Sequence, residues 1–339
     1  MSKTILVTGG AGFIGSWIVK TLVEQGNTVR VSVRNKSKTA KYQHILDLEK
    51  TNTGKVELWQ ANLITPNGFD EVAKGCDSII HVASPFTLDT KNPQENLINP
   101  ALKGTQNVLN AATKSGTVKR VIVTASCATI YGDNVDMKNK NITEFTEDIN
   151  NTTSSLTHNP YSYSKVLAEQ EANKIHAEQD SWSLAFINPA FVMGPAFSKD
   201  SNSGSITFMK DILSGKYKSG APELHFGFVD VRDVAQAHIL ALENEKTEGR
   251  HLICGESMDM ISFTKIIEAN FPKQFKLPKM KAPKFLMMLL APVFGVTRKF
   301  VKLNVGFPVK FSNKKSIREL GMKYIPIEKS IVDMVEWLK

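Results

Sequence analysis

Short apolar runs rich in Val and Ile alternate with longer stretches of helical period through the first half of the chain. Thr4-Ile5-Leu6-Val7 is β-branched and is followed by glycines, and residues 13–24 carry apolar positions at helical spacing until Gly26 and Asn27 end the helix. Residues 28–33 alternate with strand period, and a basic turn and a helix to Lys50 come next. Further strands are predicted at 56–59, 79–82, 120–124 and 184–188, with helices at 101–112 and 161–177 between them. The strands lack a polar face, as expected of strands covered on both sides, so the pattern predicts an α/β fold with a Rossmann-type, doubly wound parallel sheet.

After Pro189 the order loosens. Residues 196–219 are rich in Ser and Gly and read as a loop with one short helix. Phe228-Val229-Asp230-Val231-Arg232-Asp233 leads into a helix through Leu242, and residues 250–254 form another strand. Beyond it, Pro272, Pro278, Pro283, Pro292 and Pro308 divide the chain into short helices. A chain of 339 residues exceeds what one core usually supports. Residues 1–188 are therefore expected to form the nucleotide-binding sheet domain and 189–339 a smaller, mostly helical substrate-binding lobe, with 226–256 packing back on the sheet. No internal repeat is present.

Composition narrows the class. An apolar fraction of 42% excludes a disordered chain. The sequence enters a strand directly after Met1-Ser2-Lys3, without the pattern of a signal peptide, and is expected to be cytoplasmic. Its longest apolar stretch, 285–296, is interrupted by Pro292 and too short for a membrane span, so it reads as a helix of the lobe, with weak membrane contact as the lesser reading. Cys76, Cys127 and Cys254 have no metal-ligand spacing, and Cys76 and Cys254 read as buried thiols. The 42 basic residues exceed the 33 acidic ones by nine, but only seven are Arg and the lysines run from Lys3 to Lys339. Dispersed charge of this kind argues against nucleic-acid binding. The densest patches are 34–41, 273–284 and 298–302, of which the first fits an anionic small ligand.

That ligand is suggested by Thr8-Gly9-Gly10-Ala11-Gly12-Phe13-Ile14-Gly15, placed between the first strand and the first helix. Whether read from Gly9 or from Gly10, the glycines permit a tight turn and bring a pyrophosphate to the helix N-terminus. An NAD site usually places an acid roughly 20 residues beyond the glycines. Here Arg34 stands at that place, and no acid follows until Asp47. A guanidinium forks onto a 2′-phosphate, so NADP(H) is the expected cofactor. Ser126 follows the fifth strand, and Tyr161 and Lys165 lie four residues apart on one helix face, whereas the competing phenol Tyr163 has Leu167 at that spacing. Shifting a phenol by ~3 pH units takes ~4 kcal/mol, about what one cation ~4 Å away supplies at intermediate dielectric. His81, on an apolar strand, reads as a core histidine.

Further segments join these: His81-Val82-Ala83-Ser84-Pro85, Asn188-Pro189-Ala190-Phe191-Val192-Met193-Gly194-Pro195, and the run from Phe228 to Ala235. With them the chain resembles the extended short-chain dehydrogenases/reductases, and within these the dihydroflavonol 4-reductase / cinnamoyl-CoA reductase-like carbonyl reductases. The resemblance implies NADPH-dependent reduction of a small-molecule aldehyde or ketone. It assigns proton donation to Tyr161, carbonyl polarisation to Ser126, and tuning of the phenol and contact with the nicotinamide ribose to Lys165. It places the cofactor on Gly9, Gly12, Phe13, Ile14 and Gly15. Arg34 and Lys41 would take the 2′-phosphate, Ala83 and Ser84 the ribose and pyrophosphate, and Pro189 to Val192 the carboxamide. Where the family has Asp-Leu beside the adenine, this chain has Asn62-Leu63, whose amide oxygen still accepts a hydrogen bond. Phe86, Tyr131, Phe191, Phe197 and Phe226 are candidates for an apolar substrate pocket, and no metal is implied. The alternatives are an NAD-dependent nucleotide-sugar epimerase or dehydratase, a 3β-hydroxysteroid-type dehydrogenase, and a cofactor-sensing protein without turnover.

Overall fold

The computed structural model describes residues 2–84, 92–199, 201 and 203–339, with backbone alone at 293 and 294. Seven parallel strands form the main sheet: β1 (Thr4–Thr8), β2 (Thr28–Val33), β3 (Lys55–Gln60), β4 (Ser78–His81), β5 (Arg120–Thr124), β6 (Ser183–Pro189) and β9 (Gly249–Ile253). Their order is β3-β2-β1-β4-β5-β6-β9. The doubly wound sheet expected from the sequence is present, extended at one edge by β9, whose Ile253 pairs with Pro189. A second sheet sets β7 (Phe191–Met193) parallel to β8 (His225–Asp230), with β10 (Glu256–Asp259) antiparallel on the other side.

The crossover helices follow from the apolar spacing. Helix α1 (Phe13–Glu24) buries Phe13, Ile18, Val19, Leu22 and Val23 against the sheet. Single turns α2 (Gln43–Leu46) and α3 (Asp70–Ala73) lie in the next two crossovers, then come α4 (Asn99–Ser115), the turn α5 (Asp136–Asn139) and α6 (Pro160–Ala177). A π-helical turn, Gln94–Ile98, feeds α4. The rest of the chain adds α7 (Gly204–Leu213), α8 (Val231–Glu243), α9 (Met260–Asn270), α10 (Lys284–Leu290), α11 (Arg298–Asn304), α12 (Lys314–Leu320) and α13 (Ile327–Leu338). Among the described residues no helix is long and apolar enough to cross a membrane. The three cysteines are free thiols, with Cys76 and Cys254 buried.

Three features depart from the sequence reading. The helix expected before Lys50 is a chain of single turns: 3-10 at Thr39–Tyr42, α at α2, and 3-10 at Asp47–Lys50. Strands β7 and β10 were not anticipated, because three- and four-residue strands carry too little periodicity to stand out. Finally, α13 is a three-turn amphipathic helix that buries Ile327, Ile331, Met334 and Val335.

Buried polar groups fasten the periphery to the sheet. Arg120 donates to the carbonyls of Ala241, Asn244 and Thr247, so a cation meets the exposed carbonyls at the C-terminal end of α8. At the other end of α8, Asp230 caps the helix through the Arg232 N–H and receives the Arg232 guanidinium, which also pairs with Asp333 of α13. Asp233, in the first turn of α8, accepts the Ile325 N–H at 2.9 Å. Burial pushes its carboxyl up to about 7, reinforced by the Asp230 carboxylate and opposed by the Ile325 N–H and Arg232. A raised carboxyl means that the folded chain holds a proton the unfolded chain releases. Stability therefore falls as pH rises from about 4 to about 7. Asp233→Asn should raise the melting temperature measured at about pH 8 and leave it nearly unchanged at about pH 4.

Candidate active site

Strand β1 has β2 on one side and β4 on the other, and the crossovers on its two sides run in opposite directions. The carboxyl ends of β1 and β4 thus open a crevice, the place where doubly wound sheets bind ligands. Thr8 and His81 face each other there, with Thr8 Oγ1 2.8 Å from His81 Nδ1 and accepting the Ala83 N–H at 3.1 Å. Burial, assisted by the Lys165 ammonium, pushes His81 down to about 3. It is a neutral core histidine, as its sequence context suggested.

The glycine loop fits a dinucleotide. Gly9 has φ of +68°, and a Cβ on it would lie 3.1 Å from the Ala83 backbone. A Cβ on Gly15 would collide with the Gly9 carbonyl oxygen, so loop and helix approach only without side chains. Gly12 is the N-cap of α1 and supplies no capping side chain, and the first turn, which includes Phe13 and Ile14, holds no acid. The N–H groups and the positive end of the helix are thereby left for an anion. Arg34, just after β2, and Lys41 are both exposed. Asn62 is also exposed, and its Oδ1 accepts the Ile64 N–H at 3.3 Å, using one of its two lone pairs. Leu63 lies on Gly104 of α4, and both line the crevice with Ala83, Ser84 and Lys165.

Ser126 and Tyr161 meet. Ser126 caps the 3-10 turn Cys127–Thr129, its Oγ accepting the Ala128 N–H at 3.1 Å, and its hydroxyl stands beside the Tyr161 phenol. Burial drives this phenol up to about 12, Cys127 adds to the rise, and the neighbouring Ser126 hydroxyl opposes it. The expected acidifying pull of Lys165 is not what sets the phenol in this structure. The ammonium acts on His81 and Glu169 instead. Burial lowers Lys165 to about 8, opposed by the Glu169 carboxylate.

Glu169 was not singled out in the sequence, although it continues the four-residue spacing from Tyr161 through Lys165. Its buried carboxylate accepts from Thr129 Oγ1 at 2.9 Å, Asn188 Nδ2 at 3.0 Å and Arg250 Nε at 2.6 Å. Arg250 in turn donates to the carbonyls of Glu147 and Ile149. Asn188, just before Pro189, also bonds the Ser126 carbonyl at 3.3 Å. The carboxylate therefore joins the Ser126 turn, α6, β6 and β9.

A second buried group orders the approach to Tyr161. His158 Nε2 lies 2.8 Å from Asp133 Oδ2, and Asp133 Oδ1 accepts from Asn159 and, at 2.6 Å, from Asn304 of α11. Asn159, with φ of +53°, stands immediately before Pro160 at the start of α6.

The proposed pocket residues do not form one group. Phe191 and Phe226 are neighbours, with ring centroids 5.8 Å apart, and Phe208 lies edge-on to both. Tyr131 is held against Phe145 and Phe311. Phe197 is separate again, packed on Trp17 of α1 and on His44. Phe86 lies outside the described residues. Pro189 and Val192 are buried, in β6 and β7. Among the described residues no cluster of His, Cys, Asp and Glu could hold a metal.

Comparison with known proteins places this geometry. Residues 5–255 match the NAD dependent epimerase/dehydratase family. The chain belongs to that family. Within it, the chain is 34% identical to cinnamoyl-CoA reductase CAD2 of Medicago truncatula, covering 100% of this chain and 96% of the relative. It is 30% identical to the bifunctional dihydroflavonol 4-reductase/flavanone 4-reductase of Malus domestica, over 95% and 86% of the two chains. The crystal structure of Gre2 from Candida albicans in complex with NADPH superposes with a TM-score of 0.81 at 30% identity, over 99% and 98% of the chains. The chain is an oxidoreductase.

Removing the Asp133 carboxylate leaves His158 Nε2 without its partner in the interior and takes one hydrogen bond from Asn304, which keeps those to Asn134 and Phe300. Asp133→Ala should cost about 1–3 kcal/mol of unfolding free energy in a denaturant titration.

Proposed function

We propose that this family member reduces the carbonyl of a small aldehyde or ketone at the expense of NADPH, with Ser126, Tyr161 and Lys165 as its catalytic set. The observation that carries the reading is the Ser126 hydroxyl set beside the Tyr161 phenol, one helical turn from a buried lysine, with a glycine loop closed to side chains at Gly9 and Gly15. The reductase relatives and the NADPH-bound neighbour support the reaction class and the cofactor.

The residues that would hold the dinucleotide follow from their positions. The N–H groups of the loop from Gly12 to Gly15 would take the pyrophosphate, and Arg34 with Lys41 the 2′-phosphate. Asn62 and Leu63 would flank the adenine, Ala83 and Ser84 the ribose and pyrophosphate, and Pro189 to Val192 the carboxamide. When bound, NADPH supplies the hydride that the carbonyl carbon accepts.

The protein's own part is to handle the proton and the developing negative charge. A phenol raised to about 12 is fully protonated at neutral pH and holds the proton needed by an alkoxide. Ser126, whose oxygen already accepts the Ala128 N–H, turns its hydroxyl hydrogen to the carbonyl oxygen and stabilises charge there. Lys165, brought down to about 8, remains mostly an ammonium at neutral pH, positioned to hold ribose hydroxyls. Arg34 in place of an acid, together with the reductase relatives, disfavours the NAD-dependent epimerase and dehydratase alternative.

Two substitutions test the assignment. Tyr161→Phe should bind NADPH normally by fluorescence titration and lose orders of magnitude in kcat, and near-normal turnover would refute the catalytic role. Arg34→Ala should weaken NADPH far more than NADH, and an equal loss for both would overturn the 2′-phosphate assignment.

A further inference from the structure

The charge of this protein is not spread as its lysine count suggests. Residues 269–318 contain 12 of the 42 basic residues and none of the 33 acidic ones. The remainder of the chain, with 30 basic and 33 acidic residues, is slightly acidic. The whole excess of positive charge thus lies in one segment, which covers α10, α11 and the first five residues of α12.

The same segment exposes most of the large apolar side chains that the fold leaves in solvent. Seven are exposed among the described residues, and Met280, Phe285, Leu286, Leu289 and Ile317 lie within it. On α10 the division is by face. Met287 and Met288 pack inward with Ala291, Val301 and Val305. Phe285 and Leu289, one turn apart, are 75% and 65% exposed, and Leu286 beside them is 38% exposed. Met280, shortly before the helix, is 65% exposed.

The cations around this apolar face are unevenly engaged. Lys284 is turned inward onto the Lys302 and Val305 carbonyls, and Lys281 is paired with Glu223 and Asp259. Lys276, Lys279, Arg298, Lys299 and Lys302 are exposed and have no acidic partner among the described residues. Val301 and Asn304 are the buried positions of α11, so Lys299 and Lys302 stand on its outer side, next to α10.

We propose that this face docks on an anionic lipid bilayer. Phe285, Leu286, Leu289 and Met280 enter the headgroup–acyl boundary, and the unpaired cations of 276–302 engage the headgroup phosphates and carboxylates. An apolar stripe bordered by lysines is the pattern of peripheral membrane segments, and four to eight basic residues suffice for selective attraction to anionic lipid. A second copy of the chain is disfavoured as the occupant, because a two-fold contact would set the basic border against itself. A nucleic acid would pair with the cations but offers no acyl phase for Leu289 and Met280. The inference uses none of the residues assigned to the reduction and stands independently of it.

The test is co-sedimentation of the full chain with vesicles of phosphatidylcholine alone and of phosphatidylcholine mixed with phosphatidylserine. Binding is expected to the mixed vesicles and to weaken steeply with added salt. Phe285→Glu with Leu289→Glu, and separately Lys299→Glu with Lys302→Glu, should each reduce it roughly tenfold or more. Reductase turnover of both variants should remain that of the parent, which shows that they are folded. Absence of binding at low salt, equal binding to both kinds of vesicle, or binding unchanged in both variants would overturn the proposal. So would sedimentation velocity showing a dimer that Phe285→Glu with Leu289→Glu dissociates, or RNA competing the protein off the vesicles.

Discussion

The carboxylate of Glu169 is the fixed point on which the catalytic geometry depends. It is buried, so its charge is tolerated only because Arg250, Thr129 and Asn188 donate to it and Lys165 lies one turn away. Those donors come from separate parts of the chain. The turn that presents Ser126, the helix that presents Tyr161 and Lys165, and strands β6 and β9 are thereby held in one register. A buried ion pair of this kind adds little net stability and instead specifies an arrangement. Here the arrangement fixes the distance from a serine on one element to a phenol on another.

The same burial divides the labour between the two titratable groups of the site. Low polarity favours the uncharged form of each, so it keeps the proton on the tyrosine and eases it off the lysine. A sequence argument that considers the pair alone sees only mutual attraction. Within the fold, solvent exclusion is the larger effect and Glu169 offsets it at the lysine. The Ser126 hydroxyl, not the ammonium, is what lowers the phenol in the resting protein.

Much of this was legible in the sequence, and the limits have physical causes. The parallel strands stood out because both their faces are covered, α1 because its apolar spacing is regular and glycines flank it, and α6 because Pro160 marks its start. The glycine loop was legible because backbone contact leaves no choice of residue at Gly9 and Gly15. Glu169, Arg250, Asp133 and Asn304 were not, because single polar residues far apart in sequence become partners only after the sheet has closed. The pocket aromatics were named individually, yet periodicity says nothing about which rings meet. Phe191 and Phe226 are brought together, while Tyr131 and Phe197 are held elsewhere.

Asn304 donates to Asp133, and Asp133 holds the residues that lead into α6. The order of synthesis gives this link a consequence. A nascent chain can pair its first six strands while the ribosome is still adding the last hundred or so residues, since N-terminal units fold first. The segment in front of Tyr161 nevertheless lacks one of its fastenings until residue 304 has left the exit tunnel. The sheet can therefore exist before the enzyme does, and a polypeptide stalled short of α11 would carry the nucleotide loop without a fully fastened proton donor.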